Sequence, residues 1–285
     1  MTGPADSSHV RLVTRLRSFV AARFARGEYL GLHLTVGFLI SASALWLFGS
    51  ITEDVVHNEA LTAVDLSVHT WMRAHATPFG DQVAIAISFI GGPLMMTILA
   101  LVVGMILARR GAWLMVSVWL AAFVVGAFLD WMLKNMIRRP RPVGAERFLH
   151  GISFSYPSGH SMGSLIGFAM LAYVLFELWP PAHRHRAIVL IATIVLVLLV
   201  GWSRLYLGVH YLSDVIAGFA AGAVWVTACI TGLELAVRPR EPGALFVPKR
   251  FDRVEYRRAA RRPDAEDHSD RGGEREGDDE GADVD

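Results

Sequence analysis

Cysteine and charge are both scarce in this 285-residue chain. Cys229 is its single cysteine, so the chain cannot be a disulfide-stapled secreted module. Charged residues make up only 19% of the sequence and hydrophobic residues 53%, with a mean hydropathy of +0.42. That balance excludes a disordered protein and is rare in a single soluble domain, so it indicates an integral membrane protein. A net charge of +1 gives no reason to expect a nucleic-acid partner.

The few charges are concentrated toward the two ends, which predicts three segments. Residues 238–285 hold 14 of the 26 acidic and 11 of the 27 basic residues, and their low apolar content predicts a disordered cytoplasmic tail. Residues 1–29 combine arginines with apolar residues at helical spacing. They predict a basic amphipathic segment on an anionic cytoplasmic membrane surface, with an ordinary basic flank as the alternative. Residues 30–237 form the apolar body.

Six long stretches of this body contain no charged residue, and each is 16 residues or longer. A helix needs about 20 residues to cross a hydrocarbon core of about 30 Å. We therefore predict an all-α polytopic membrane protein with six spans, and the alternative of a large soluble helical bundle is disfavoured. Gly218 and Gly222 form a GxxxG pattern in the last span and predict close helix packing. The stretches are 31–52, 83–108, 112–129, 161–176, 187–203 and 215–233.

The basic residues predict the orientation of the spans, because cytoplasmic loops carry the excess of Lys and Arg. With six spans, both termini share one side with the turns at 109–111 and 180–186, and each of these four segments carries two or more Lys or Arg residues. Both termini are therefore predicted to be cytoplasmic. The extracytoplasmic side receives the loops 53–82, 134–160 and 204–214. The last two loops break the charge rule, since they hold a lysine and five arginines, and a local reason must exist.

Three segments of these two loops carry residues suited to phosphate chemistry. They run from Lys134 to Pro142, from Pro157 to His160, and from Ser203 to Asp214. Taken singly, they could be a basic flank, a helix start and an interfacial histidine. Together they place two histidines, an aspartate, a lysine and several arginines at one face of the membrane, which favours a site over three unrelated features.

A phosphoryl group is the ligand that fits these residue types. Its transfer requires positioning and cations around its oxygens, and the arginine fork matches those oxygens. Lys134, Arg141 and Arg204 are the candidate clamp. Ser158 is a candidate N-cap for the fourth span, and Gly159 would let the backbone approach a ligand. The helix N-terminus there would present free N–H groups to an anion.

The two histidines and the aspartate are candidates for nucleophilic and acid catalysis. His210 and Asp214 are four residues apart, so they share a helix face if the sixth span begins by His210. The carboxylate could then bind one ring nitrogen and leave the other free to attack phosphorus. His160 is the candidate proton donor to the leaving oxygen. The outer loops contain no closely spaced carboxylate pair, and the chain has no His-Glu-x-x-His pattern, so we expect neither a metal ion nor a cofactor.

The three segments resemble the signature of the type-2 phosphatidic acid phosphatase family, which reads Lys-x6-Arg-Pro, Pro-Ser-Gly-His and Ser-Arg-x5-His-x3-Asp. Every position matches, from Lys134 to Pro142, from Pro157 to His160, and from Ser203 to Asp214. The signature covers about residues 134–214, and the six-span layout extends the likeness to about 30–237. The likeness is to the membrane lipid-phosphate phosphatase branch, including its bacterial broad-substrate members.

The resemblance implies a metal-independent phosphatase that works through a phosphohistidine. His210 would be the nucleophile, Asp214 would orient it, and His160 would be the general acid. The spacing of His210 and Asp214 favours this choice of nucleophile, and the family likeness decides it. The resemblance assigns the phosphate to Lys134, Arg141, Ser158, Gly159 and Arg204.

The expected substrate is a phosphomonoester or pyrophosphate on a membrane lipid. Undecaprenyl pyrophosphate is the first expectation, followed by phosphatidate and phosphatidylglycerol phosphate. The expected location is the bacterial plasma membrane, with the site at its extracytoplasmic face. A lipid-to-acceptor phosphotransferase is one alternative, and a non-enzymatic lipid transporter or lipid-binding protein is another. The sequence predicts no oligomeric state.

Residues outside the signature carry further predictions. Asp130 precedes Lys134 by four residues and predicts a helix-face ion pair with it. Arg138 and Arg139 are candidates to contact a second phosphate or lipid headgroups. In the first outer loop, four apolar residues at helical spacing predict a short surface helix that guides the lipid tail to the site. They are Val64, Val68, Trp71 and Met72.

Overall fold

The computed structural model describes residues 29–57, 60–148, 153–179 and 184–237, and all regular structure in these ranges is helical. Six segments are long and apolar enough to cross a membrane, which confirms the all-α, six-span prediction. The predictions for 1–29 and 238–285 lie outside the described residues, apart from Tyr29. The helices are α1 Tyr29–His57, α2 Ala60–Ala74, α3 Pro78–Ile90, α4 Pro93–Arg109, α5 Trp113–Ile137, α6 Gly159–Leu178, α7 Arg186–Tyr206 and α8 Leu212–Val237, with a 3-10 turn at Ala145–Phe148.

The second span consists of two helices, α3 and α4, although its sequence is one uninterrupted apolar run. Gly91 and Gly92 separate them, and Pro93 opens α4, a position where a missing N–H costs nothing. A Cβ on Gly91 would lie 2.5 Å from Val200 Cγ1, so the absence of a side chain allows α7 to approach this break. The break places the beginning of α4 beside His160, whose Nε2 would lie 3.5 Å from a Cβ on Gly92.

The core lies between α4, α5, α6 and α8. Trp119 of α5 is fully buried and donates its indole N–H to the Ala100 carbonyl at 2.9 Å, which ties α5 to α4. Trp225 of α8 donates to the Ala122 carbonyl at 3.0 Å and ties α8 to α5. Each tryptophan therefore buries a large ring and has a hydrogen-bond partner for its N–H. The buried rings stabilise the packing of the helices, and the two hydrogen bonds fix the distance between them.

Close approach of α8 to α6 sets the relative position of two of the three signature segments. A Cβ on Gly218 would lie 2.6 Å from the Ser158 carbonyl oxygen, and one on Gly222 would lie 3.1 Å from the Met162 carbonyl oxygen. The predicted packing role of the two glycines is confirmed. The N-terminus of α6 is thereby held against the first turn of α8, where the Ser158 N–H donates to the Asp214 carbonyl oxygen at 2.9 Å.

The outer surface of the bundle is apolar. Phe38, Trp46, Leu101 and Trp131 are largely exposed although they sit in four-turn or longer helices with buried inner faces. Contiguous exposed apolar surface of this kind is unfavourable in water and suits contact with lipid. The exposed positions therefore agree with the six spans.

Helix α2 confirms that the first outer loop contains a short helix. Its contact with the rest of the protein is made by polar side chains, whereas the prediction concerned its apolar residues. Val64 and Trp71 are exposed, whereas Asp65 is completely buried. Asp65, His69 and Arg73 recur every four residues and form one face, since residues four apart are neighbours on a helix. Asp65 and Arg73 of this face hydrogen-bond to the rest of the protein, whereas His69 Nδ1 has no partner among the described residues. Val68 and Met72 are half-buried, so only part of the apolar stripe faces outward.

Candidate active site

The end of the bundle formed by the last turn of α5 and the first turns of α6 and α8 brings the three signature segments together. A cavity of about 540 Å³ opens there and continues between α4, α5 and α6. Six of the eight predicted site residues line it, and Asp214 and Ser158 do not. Its polar end is lined by Asp130, Lys134, Arg141, Gly159, His160, Arg204 and His210, and its walls include Met96, Ala100, Leu101, Leu120, Phe123, Val124 and Ile166.

His210 and Asp214 are adjacent, but not for the reason that the spacing suggested. Helix α8 begins at Leu212, so His210 lies in the turn before the helix rather than on its face. The turn folds back and places His210 Nδ1 3.5 Å from Asp214 Oδ2, which is an ion-pair distance at which Nδ1 makes no hydrogen bond among the described residues. Asp214 is fully buried, and its Oδ2 accepts from the Tyr211 N–H at 2.8 Å.

The tautomer of His210 follows from its second neighbour. Arg141 Nη1 lies 3.2 Å from His210 Nε2 and also donates to the Val209 carbonyl oxygen at 2.9 Å. A guanidinium has no acceptor, so Nε2 must carry the lone pair and Nδ1 the proton. The Nδ1 proton is then on the side of Asp214 Oδ2, and the Nε2 lone pair faces Arg141 at the cavity.

Burial lowers the pKa of His210 to about 3, Asp214 partly opposes this shift, and Arg204 and Arg141 lower the pKa further. The imidazole is therefore neutral at physiological pH. A neutral imidazole with an unprotonated Nε2 is the form that can act as a nucleophile.

Arg141 is fixed by the loop that follows α5. Its Nε donates to the Ser153 carbonyl oxygen at 2.8 Å, and Nη2 donates to Ser153 Oγ at 2.7 Å. Burial lowers the pKa of Arg141, while Asp214 and Asp130 raise it. The guanidinium is thus held rigidly beside His210, with its orientation decided before any ligand arrives.

Lys134 is presented by an ion pair within α5. Its Nζ donates to Asp130 Oδ1 at 2.7 Å and also to the Pro157 carbonyl oxygen, which confirms the predicted pairing with Asp130. The other side of the Asp130 carboxylate touches α6, because a Cβ on Gly159 would lie 2.8 Å from Asp130 Oδ2. The missing side chain of Gly159 therefore makes room for a carboxylate, whereas the sequence had suggested room for the ligand itself.

The Pro157 to His160 segment forms the N-terminus of α6. Ser158 is its N-cap, as predicted, with Oγ accepting from the Ser161 N–H at 3.4 Å. Ser158 is fully buried and does not line the cavity, so its hydroxyl serves the helix, and its predicted contact with phosphate stays a prediction. Gly159 and His160 do line the cavity. A helix N-terminus at this place favours an anion.

Arg204 approaches from the last turn of α7 and is nearly buried. Its Nη1 donates to the hydroxyl of Ser88, a residue of α3 that lies outside the signature. Its Nε has no hydrogen-bond partner within the described residues. An unpaired buried donor on a cavity-lining guanidinium is available for an incoming acceptor.

Arg139 binds carboxylates inside the protein, whereas the sequence predicted a contact with a second phosphate or with lipid headgroups. Its Nη1 donates to Asp214 Oδ1 at 2.6 Å and its Nη2 to Asp65 Oδ2 at 2.7 Å. The guanidinium also lies 4.4 Å over the ring of Tyr211. Burial alone would lower its pKa, but Asp214 and Asp65 outweigh burial and raise it. Arg139 is thus an internal clamp on Asp214. Arg138 remains exposed, and its Nε donates to the Asn135 carbonyl oxygen at 2.9 Å.

Sequence reasoning missed Asp65 and Ser88, because both lie far from the signature in the chain. One signal for Asp65 was present: it belongs to the i, i+4, i+8 polar row with His69 and Arg73 in an otherwise apolar helix. Ser88 has no comparable signal. Across residues 29–57, 60–148, 153–179 and 184–237, no group of three His, Cys, Asp or Glu residues lies close enough to hold a metal ion.

The known proteins to which this chain is similar are lipid phosphatases of one family. Phosphatidylglycerophosphatase B of Bacillus subtilis is 32% identical over 184 residues, covering 63% of this chain and 88% of that protein. A putative undecaprenyl-diphosphatase of Escherichia coli is 30% identical over 108 residues, covering 36% of this chain and 49% of that protein. The crystal structure of the transmembrane PAP2-type phosphatidylglycerolphosphate phosphatase from Bacillus subtilis superposes with a TM-score of 0.62 at 28% identity, covering 71% of this chain and 98% of that chain.

The profile of the PAP2 superfamily matches residues 110–237, which include all three signature segments. Three findings confirm the resemblance that the signature indicated. They are this family match, the Bacillus subtilis relative that is covered over 88% of its length, and the helical fold shared with the crystal structure. The chain belongs to the PAP2 superfamily, and like the lipid phosphatases of that family it is a hydrolase.

Proposed function

We propose that this protein hydrolyses a phosphoryl group from a membrane lipid through a phosphohistidine at His210. The cavity carries the proposal: one end holds a lysine, two arginines and two histidines, and the walls between α4, α5 and α6 are apolar. A phosphorylated headgroup matches the first part and a lipid tail the second. Soluble phosphate esters would leave the apolar part without a partner.

In the first step, Nε2 of His210 attacks phosphorus and the bond to the leaving oxygen breaks. His160 gives that oxygen a proton, so the dephosphorylated lipid leaves as a neutral hydroxyl or as a lipid monophosphate. The imidazole becomes a cation when its Nε2 binds phosphorus, and the buried Asp214 carboxylate stabilises this charge through Nδ1–H. Lys134, Arg141 and Arg204 supply positive charge to the three equatorial oxygens of the transferred group.

In the second step, water attacks the phosphohistidine and releases inorganic phosphate. The neutral His160 formed in the first step accepts a proton from this water, and the P–N bond to His210 breaks. Both histidines thereby return to their starting states. These two reaction steps need no metal ion, because the side chains of Lys134, Arg141 and Arg204 supply the positive charge around the phosphoryl oxygens.

The activities for which the similar proteins are named suggest the substrates to test. They are phosphatidylglycerol phosphate for the Bacillus subtilis protein and undecaprenyl pyrophosphate for the Escherichia coli protein. Undecaprenyl pyrophosphate is our first choice for this chain, with phosphatidylglycerol phosphate and phosphatidate next. All three join a phosphate or pyrophosphate to a long apolar tail, which matches the polar end and the apolar walls of the cavity.

The release of phosphate from purified protein in detergent tests the reaction. A panel of the three lipids is assayed with EDTA present, using the wild type, His210→Ala, His160→Ala and the exposed control His57→Ala. We expect turnover by the wild type and His57→Ala and near-complete loss in the two site variants. Activity that survives both site changes, or that disappears with EDTA, would contradict the mechanism. Phosphate found on a second lipid would identify a phosphotransferase, and binding without turnover of any lipid a transporter.

We further propose that residues 30–237 form the phosphatase domain of a bacterial plasma membrane protein, with its site extracytoplasmic and both termini cytoplasmic. The support is the excess of arginine in the other loops and at both ends. In a Cys229→Ala background, Val143→Cys, which is 93% exposed, reports the site end, and the exposed Arg110→Cys reports the opposite end. A membrane-impermeant maleimide should label only Val143→Cys on intact cells. Labelling of only Arg110→Cys would reverse the topology.

A further inference from the structure

Asp65 is a fully buried carboxylate on α2, a helix that contributes no residue to the cavity lining. Burying a carboxylate is costly unless it is paired and hydrogen-bonded. Asp65 meets both conditions: Oδ1 accepts from the Ser213 N–H at 2.9 Å, and Oδ2 accepts from Arg139 Nη2 at 2.7 Å and from the Ser213 hydroxyl. All of these partners belong to the surroundings of Asp214.

The contact with the Ser213 N–H places Asp65 at the beginning of α8. Ser213 is the second residue of α8, so its N–H is one of the donors that a helix leaves without an internal partner. A carboxylate at that position also interacts favourably with the positive end of the helix dipole. Asp65 therefore caps, from a neighbouring helix, the turn that carries Asp214.

The contact with Arg139 reaches Asp214 by a second route. Arg139 lies between two carboxylates, donating to Asp65 through Nη2 and to Asp214 Oδ1 through Nη1, both within 2.7 Å. Since Oδ1 of Asp214 is held by Arg139, its Oδ2 is directed to the Tyr211 N–H and to His210 Nδ1. Without Asp65, the guanidinium would keep only one carboxylate partner and would shift toward it.

We propose that Asp65 is a positioning residue, which holds Arg139 and the first turn of α8 so that Asp214 aligns the ring of His210 for attack. This inference rests on the proposed role of His210 as the nucleophile. Helix α2 reinforces the same loop at a further point, where Arg73 Nη1 donates to the Tyr206 carbonyl oxygen at 2.8 Å. The extramembrane helix is thus part of the catalytic scaffold rather than only a connection between spans.

The test separates alignment of His210 from loss of folded protein by comparing two inhibitors. Vanadate bonds to the attacking imidazole in the geometry of the five-coordinate phosphoryl, whereas inorganic phosphate reports only the cation clamp. An inhibition constant does not depend on how much of the protein is active. In Asp65→Asn we expect kcat to fall about 10-fold to 100-fold, as a misplacement of up to 1 Å causes, and the inhibition constant of vanadate to rise in parallel, while that of phosphate stays within about threefold.

Asp81→Asn is the matched control. It also breaks an ion pair of α2, the one between Asp81 and Arg73 at 3.0 Å, but it touches neither Arg139 nor Asp214. Its vanadate and phosphate constants should equal those of the wild type. Ser213→Ala removes the hydroxyl that donates to Asp65 Oδ2 and accepts from Arg139 Nη1, while the Ser213 N–H contact and both charges stay. It should raise the vanadate constant severalfold, so it tests the idea even if Asp65→Asn does not fold.

An unchanged vanadate inhibition constant in Asp65→Asn would overturn the proposal. If Asp65→Asn does not fold, an unchanged vanadate constant in Ser213→Ala would do the same. An equal rise of the vanadate and phosphate constants would also overturn it. These outcomes differ from a failure of the proposed function itself. In that case the wild type would release no phosphate from any lipid of the panel.

Discussion

Adding a single methyl group at Gly159 should disable the cation clamp without changing any charged residue. The Cβ of Gly159→Ala would lie 2.8 Å from Asp130 Oδ2 and 3.1 Å from Asp130 Cγ, and ordinary contact begins at 3.4 Å. The carboxylate must therefore retreat by about 0.6 Å, the difference between 3.4 and 2.8 Å. Lys134 Nζ is bonded to the same carboxylate at 2.7 Å, so it moves too.

A displacement of this size should lower kcat/KM for the lipid about 10-fold to 100-fold, because misplacing a group by 1 Å can cost 10²-fold. The overpacking should also destabilise the fold by about 1–3 kcal/mol. The assay is phosphate release from a lipid phosphate in detergent, normalised to protein that remains monodisperse. Gly232→Ala is the control, since nothing lies within 4 Å of its added Cβ. Equal activity of the two variants would refute the account of how Lys134 is positioned.

Three further predictions concern the surroundings of the site. Ser88→Ala removes the acceptor of Arg204 Nη1 and should cost about 1–3 kcal/mol in stability or in transition-state binding, which thermal unfolding and kcat/KM together would detect. Ala127→Phe narrows the apolar part of the cavity and should lower turnover of a long-tailed lipid phosphate while a short water-soluble phosphate ester is hydrolysed as before; equal effects on both would contradict the assigned tail path. Because burial lowers the pKa of His210 from 6.5 to about 3, the unfolded chain binds a proton that the folded one does not, so stability should fall as pH drops from 6.5 toward 3. The part due to His210, on the order of a few kcal/mol, should be missing from the pH dependence of the melting temperature of His210→Ala.

The fold was predictable from sequence because lipid imposes a simple rule on each span. A charge-free run long enough to cross the bilayer must be helical, since no water is present to satisfy its backbone. The interruption at Gly91 and Gly92 escaped this reasoning, because hydropathy does not register a break between two apolar helices. The close approach of Val200 that requires Gly91 is a tertiary contact, which the order of residues alone does not reveal.

The sequence predicted which residues form the site, but it did not predict most of the contacts between them. Lys134, Arg141, His160, Arg204 and His210 follow from their spacing and meet at one cavity. What sequence could not show is which side chains are already occupied: the Ser158 hydroxyl caps α6, Gly159 accommodates Asp130, and Arg139 binds two carboxylates. These contacts depend on α2, α5 and α8 being neighbours, which spacing along one segment does not encode.

The covalent bond between phosphorus and His210 is the central step of the proposed mechanism. The direct measurement is to mix purified protein with a lipid phosphate labelled in its phosphoryl group, quench within milliseconds in alkali, where phosphohistidine survives, and locate the label by peptide mapping. We expect stoichiometric labelling confined to the peptide that contains His210. Phosphate release by the wild type with no label on His210 at any quench time, or with label on His160 instead, would contradict the mechanism.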